Sequence, residues 1–420
     1  MTIRTLLLSS LTLALAACST TKTTQTPVSS ERSESSEFSE FSESSELSET
    51  LTTRLAQKNN TFALRLFSEI GGMDSHVVSP LSVTYLMGML ANGADRQTRQ
   101  EILTTMGWKD ESLADVNAFS LQLIEQATRK GAKNTVRIAN YVALNNQLTL
   151  RQAATDSLKH YFQASVEPLD FSSNATKDHI NAWCSDHTRG MIPSIIDDLD
   201  PSALAYIMNA IYFDGSWKNA FDKSATKEER FQGYTRDVKR VQMMWQSTRL
   251  PYTSNDTYAA LQLPYAAGEY TMTLLLPNEG KSIAEMMTAV TPETFSRFYD
   301  GAETCIVDLK LPRFTTEMKL QLNDLISKLG APSMFSPATA DFSLLSDHGL
   351  FISRMLQKAK IEVSETGTKA AAVTAATVML TSLDHREPRH VDFHADRPFV
   401  YTITDTSTGA ILFIGQFTGE

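Results

Sequence analysis

Ser224-Ala225-Thr226-Lys227 places a lysine one helical turn after a serine, the spacing at which the amine can take the hydroxyl proton for acyl transfer. Neither companion of that chemistry follows. The chain has no Lys-Thr-Gly, and no Gly-x-Ser-x-Gly elbow that would raise a nucleophilic serine at a strand-to-helix turn. His385, His390 and His394 crowd one short stretch, but their spacing matches no recognised zinc pattern. Gly-rich phosphate loops of the dinucleotide and Walker types are missing. Beyond Cys18 only Cys184 and Cys305 remain, either a pair formed in an oxidising compartment or two buried thiols. The expectation is a chain that is no enzyme, with no catalytic group, metal or cofactor of its own.

The informative residues are instead those of Glu365 to Val378, Glu-Thr-Gly-Thr-Lys-Ala-Ala-Ala-Val-Thr-Ala-Ala-Thr-Val. Alternate positions from Thr368 are Thr368, Ala370, Ala372, Thr374, Ala376 and Val378, none charged, large or proline. Such a face can be buried in a sheet at no electrostatic cost, because successive strand residues point to opposite sides. The first proline after Gly367 is Pro388, so no ladder donor is lost in between. An alanine-rich helix is the competing reading. The β-branched Thr368, Val373, Thr374, Thr377 and Val378, and the lack of a 3.6-residue apolar stripe, argue against it.

This run resembles the reactive-loop hinge of the serpins, the trap-like protease inhibitors. The resemblance extends in order along the chain through Ser79-Pro80-Leu81-Ser82, Asn92-Gly93-Ala94, Thr188-Arg189-Gly190-Met191-Ile192, Asn209-Ala210-Ile211-Tyr212-Phe213, Leu276-Pro277-Asn278, Leu311-Pro312-Arg313-Phe314 and Arg397-Pro398-Phe399. It implies an α+β fold of three sheets and about nine helices with an exposed reactive-centre loop. It also implies a hinge at Glu365, Gly367, Thr368, Ala370, Ala371 and Ala372, and a polar cluster under the central sheet at Ser79, Ser82, Asn209 and Gln357. Most relatives carry histidine at the last position. Glutamine can donate and accept like histidine but cannot protonate near neutral pH.

The mechanism implied is attack by a serine-type, or cysteine-type, endopeptidase on the loop, an acyl-enzyme, and insertion of the freed loop into the central sheet. Counting fifteen residues from Gly367 places the reactive bond between Thr381 and Ser382, preceded by Val378-Met379-Leu380. Bonds after Met379, Leu380, Leu383, Arg386 and Arg389 stay open. The small and apolar residues favour elastase-like or subtilisin-like partners, and the arginines admit trypsin-like ones. The other implied reading is a non-inhibitory relative that is cleaved as a substrate and acts as a binding or structural module.

The elements that must carry this loop are legible in part. Leu51, Leu55, Phe62, Leu66, Phe67 and Ile70 make one apolar helical face, and Ser79-Pro80 caps a helix over Leu81 to Ala91 that closes near Gly93. Tyr258 to Tyr265 and Tyr270 to Pro277 read as strands, as do Phe399 to Thr404 and Ala410 to Phe417 around a turn. Helices first and antiparallel strands later give an α+β class.

The N-terminus is a targeting segment, residues 1–17: Arg4, then Leu6 to Ala16, too short an apolar run to span a bilayer. Leu15-Ala16-Ala17-Cys18 resembles a bacterial lipobox, which implies lipidation of Cys18 and anchoring to the envelope, at the outer membrane or cell surface; plain secretory cleavage near Ala17 is the alternative. Residues 18–53 are rich in Ser, Thr and Glu with a triplet repeat from Ser35 to Glu49, too polar to fold alone and long enough for a tether of about 30 Å. Residues 54–420 form the folded domain. Of the formal charge of −10, three basic and seven acidic groups lie in the first 50 residues, leaving a mildly acidic domain without a basic stripe. Nucleic acid is therefore excluded as a partner, and a monomer is expected.

Overall fold

The structure, a computed structural model, describes residues 48–129, 134–234, 238–368 and 388–419. Cys18 and the triplet repeat up to residue 47 lie outside the described residues. Nine helices occur among them: α1 (Glu49–Ile70), α2 (Pro80–Gly93), α3 (Arg96–Thr105), α4 (Leu113–Arg129), α5 (Gln152–Phe162), α6 (Asn174–His187), α7 (Ile283–Ala289), α8 (Pro292–Asp300) and α9 (Asn323–Leu329).

α1 begins inside the stretch assigned above to the tether, which was to end at residue 53. The Ser48 side chain accepts the Leu51 N–H at 3.2 Å and Glu49 sits at the positive end of the helix, so the chain has a start signal before its apolar face begins. α2 starts in the same way. Ser79 Oγ accepts the Ser82 N–H at 3.2 Å, Pro80 fixes the first turn, and every residue of the helix except Asn92 is buried.

Six strands form one sheet in the order β10 (Phe314–Gln321), β11 (Arg354–Ser364), β12 (Gly367–Thr368), β4 (Ala205–Ser216), β2 (Asn134–Asn145) and β3 (Ser165–Leu169). A nine-stranded sheet runs β1 (His76–Val78), β15 (Ile411–Phe417), β14 (Phe399–Asp405), β8 (Tyr270–Pro277), β7 (Tyr258–Pro264), β6 (Val238–Ser254), β9 (Glu303–Pro312) and β13 (His390–His394), with β5 (Lys227–Gln232) also on β6. The three sheets expected thus appear as two continuous ladders. The 17-residue β6 is the reason: it pairs with β5 over its first residues to Met243, with β9 from Met243 to Tyr252 and with β7 at its end.

The main core lies between the sheets and the helices and is continuous from α1 and α2 to β14 and β15. A smaller core covers the outer face of the six-stranded sheet, where Tyr141, Tyr206, Met208 and Tyr212 meet Ile180 and Cys184 of α6. Covered on both faces, β4 is buried from Ala205 to Phe213 and reads as a near-continuous apolar run. The segment that resembles a reactive loop leaves the six-stranded sheet at β12 and rejoins the nine-stranded sheet at β13.

Candidate functional site

β4 and β11 are parallel neighbours from Tyr206↔Arg354 to Tyr212↔Lys360. Beyond that the two strands part. Gly367–Thr368 lies between them, antiparallel to both, with Thr368 opposite Gly215 and Val363, and Gly367 opposite Ser216 and Ser364. A two-residue strand therefore already occupies the top of a seam that is closed below.

Gly367 has φ +147°, and a Cβ there would strike the Gly215 carbonyl and come within 2.7 Å of Ser216 Cα. Only glycine permits this approach. Thr368 is fully buried, its hydroxyl 2.6 Å from the hydroxyl of Tyr265, so it faces the core, the side assigned to it from alternation. Ala370, Ala371 and Ala372, and the bond between Thr381 and Ser382, lie outside the described residues.

Around this wedge the backbone of the hinge is pinned. Trp217 donates its N–H to the Thr366 carbonyl at 3.0 Å and its indole N–H to the Ser364 carbonyl at 2.9 Å, while Phe221 N–H reaches the Glu365 carbonyl at 2.9 Å. The Trp217 ring stacks on Tyr265 at 4.6 Å. The Glu365 carboxylate is buried and accepts from Thr226 Oγ1 at 2.8 Å and from the Arg313 guanidinium. Burial pushes this carboxyl up, but the hydrogen bonds from Arg313 and Thr226 outweigh it and hold Glu365 below the usual carboxylate range.

Halfway down the seam, Gln357 and Asn209 face each other across the β11–β4 ladder. Gln357 grips Ser79 twice: its Nε2 donates to the Ser79 carbonyl at 2.6 Å and its Oε1 accepts the Ser79 N–H at 3.2 Å. Ser79 and Ser82 are joined by the helix cap, so these three residues make one group. Asn209 bonds elsewhere, donating to Asn140 Oδ1 at 2.7 Å, and Asn140 donates to the Phe162 carbonyl at 2.7 Å. The single four-residue network expected is two networks. Ser82 Oγ and Asn209 Oδ1 are buried without a hydrogen-bond partner among the described residues.

Sequence reasoning passed over Asn140, Tyr265, Thr226 and the pairing role of Arg313. Arg313 stood inside a quoted motif. Thr226 stood inside Ser224–Lys227, whose acyl-transfer reading fails: Lys223–Ala225 is a short 3₁₀ turn capped by Asp222, and Ser224 N–H points to that carboxylate at 2.8 Å. Cys184 and Cys305 are both free and buried, and burial pushes the Cys184 thiol up to about 12.

A family model described as Serpin (serine protease inhibitor) matches residues 57–419. Serpin B6 of Macaca fascicularis is 33% identical over 374 residues, covering 86% of this chain and 98% of that protein. Leukocyte elastase inhibitor A of Rattus norvegicus is 30% identical over 379 residues, with the same coverage. The crystal structure of the thermophilic serpin tengpin in its native state superposes with a TM-score of 0.80 at 29% identity, over 87% of this chain and 94% of that one. The bare expectation of no enzyme is corrected by that family description, which replaces a negative with an activity: protease inhibition. On the match across the whole folded domain, and on the seam it surrounds, the chain belongs to the serpin family.

Proposed function

We propose that this chain inhibits serine endopeptidases of the elastase-like or subtilisin-like kind by cleavage of the 369–387 segment, with Thr381–Ser382 as the reactive bond, and insertion of the freed end between β4 and β11. One observation carries the reading. Each residue added after Thr368 steps back one position on both neighbours at once, so six steps on Thr374 meets Asn209 and Gln357, which already face each other. The two strands thus offer one common register to an incoming antiparallel strand. In it Thr368, Ala370, Ala372, Thr374, Ala376 and Val378 point inward, and the Thr374 hydroxyl arrives beside the unpartnered Ser82 Oγ and Asn209 Oδ1.

Insertion of about a dozen residues adds ladder hydrogen bonds worth about 1 kcal/mol net each and inward methyl groups worth about 0.8 kcal/mol each, an upper estimate on the order of 10–20 kcal/mol. Removing one oxyanion-hole donor costs a protease about 3–4 kcal/mol of transition-state stabilisation. The drive exceeds what is needed to stop deacylation by distortion. The same proposal includes Cys18 as the lipidated residue that holds the domain on the envelope surface, with the Ser/Glu-rich segment as its spacer.

Incubation with an elastase, a subtilisin and a trypsin, followed by denaturing gels and mass determination of the released C-terminal peptide, tests this. A denaturation-resistant complex and a peptide beginning at Ser382 are expected, together with a rise in Tm of the nicked protein. Quantitative cleavage with no complex and no rise in Tm overturns it and leaves a cleavable binding module.

A further inference from the structure

The strand that follows the loop has a second pattern. In His390-Val391-Asp392-Phe393-His394 the apolar Phe393 is buried and Val391 half-buried, while His390 and Asp392 are exposed and His394 half-buried. Alternation puts His390, Asp392 and His394 on one face of β13. Grouping His394 with His385 and His390 alone, as the sequence invites, hides the partner that the fold supplies: Asp392 stands directly opposite Asp308 of β9 in the parallel ladder.

Two carboxylates in register repel, and like charges directly opposite weaken a strand pair. Lys310, two residues along β9 on the same face, is taken by Glu229 at 2.8 Å. Asp392 has no bond to another described residue. One oxygen or nitrogen from each of Asp308, Asp392 and His394 lies within 4.8 Å of the others, and His394 Nε2 is 3.4 Å from Asp308 Oδ1. A tetrahedral ion with bonds of about 2.1 Å holds its donors about 3.4 Å apart. The Trp245 indole N–H donates to Asp308 Oδ1 at 2.9 Å, which is how an outer group orients a metal-binding carboxylate.

We propose that Asp308, Asp392 and His394 bind a divalent transition-metal ion, zinc by donor type, leaving one position for water or for His390 from the same face. The set mixes imidazole with carboxylate, which suits zinc and its neighbours and not magnesium. The ion clips the edge strand β13 to β9 and cancels the Asp308–Asp392 repulsion, and by binding the folded state it stabilises the fold as the logarithm of free zinc above its Kd. The site is separate from loop insertion and stands whether or not the chain traps a protease.

Full-length protein freed of metal with a chelator is titrated with zinc chloride by calorimetry and, in parallel, by thermal unfolding. One zinc per chain by calorimetry and a Tm that keeps rising with the logarithm of free zinc are expected, with magnesium at the same concentration giving neither. Asp308→Asn and His394→Gln each weaken zinc by about tenfold or more, Trp245→Phe weakens it about tenfold, and His385→Ala leaves it unchanged. The metal-free Tm of each variant separates lost binding from lost fold. Absence of saturable binding, or zinc affinity unchanged in both Asp308→Asn and His394→Gln, overturns the site.

Discussion

β14 and β15 of the nine-stranded sheet are antiparallel, buried at every position and backed by the Phe314, Phe399 and Phe417 rings, with centroids 4.8–5.7 Å apart. β4 and β11 of the six-stranded sheet are parallel, carry Asn209 and Gln357 on their inner faces, and separate where β12 enters. Buried polar atoms without partners do not by themselves mark the difference. Among the described residues the nine-stranded sheet has them too, at Thr271, Thr402 and Thr404, but on strands paired along their whole length, with only a one-residue register shift between Ile403 and Thr404 on the β15 side. What distinguishes the seam is that its orphan atoms coincide with a ladder already split at one end. One sheet is built to stay; the other, on the proposed mechanism, takes a guest.

Thr368→Arg is the hardest test of that contrast, because the guest strand would carry a charge into the core at its first inward position. Denaturation-resistant complex with an elastase should fall more than about tenfold while cleavage continues, a shift of at least about 1.4 kcal/mol in the partition. Undiminished trapping would break the assigned register. Ile414→Ala probes the other sheet. It should cost about 2–5 kcal/mol in urea unfolding, and because β15 keeps its neighbours on loop cleavage, intact and nicked protein should lose the same amount.

Glu365→Ala leaves Thr226 and Arg313 without their acceptor and should lower the stability of the intact form by about 1.5–3 kcal/mol. The pH dependence sharpens it. The folded-state pKa of Glu365 lies below its unfolded value, so its contribution is complete above the ordinary carboxylate range of about 4.3 and is lost as pH falls through the folded value. Wild type should therefore lose more stability than Glu365→Gln on acidification below about pH 4. Gln357→Leu is the mildest change. It removes two bonds to Ser79 and should cost about 1–2 kcal/mol, loosening the middle of the seam so that β4 and β11 amides exchange faster while those of β14 and β15 do not.

Much of this was legible before any coordinates. Tyr258–Pro264, Tyr270–Pro277, Phe399–Asp405 and Ile411–Phe417 are strands within a residue or two of their expected limits, because long apolar runs bounded by turn residues leave few alternatives. Thr368 faces inward because alternation follows from the strand itself. The start of α1 was missed, since Ser48 and Glu49 look like two more residues of a Ser/Glu repeat until a helix exists for them to cap. The Glu365–Arg313–Thr226 cluster was hidden for a different reason: its members lie 52 and 139 residues apart in sequence, and nothing local in any of them signals the others. Gln357 was found by homology of position, whereas Asn140 follows only from the register of β2 on β4, which pairs it with Asn209.

The stretch between residues 368 and 390 is rooted at its two ends in different sheets, β12 on one side and β13 on the other. If the proposed cleavage and insertion occur, the upstream end travels into the seam while β13 keeps the downstream end beside β9, so the two sides of the cut part and cannot be rejoined. On the proposed mechanism each copy is a single-use device, so protection would scale with the number of copies present rather than with how fast any one of them acts.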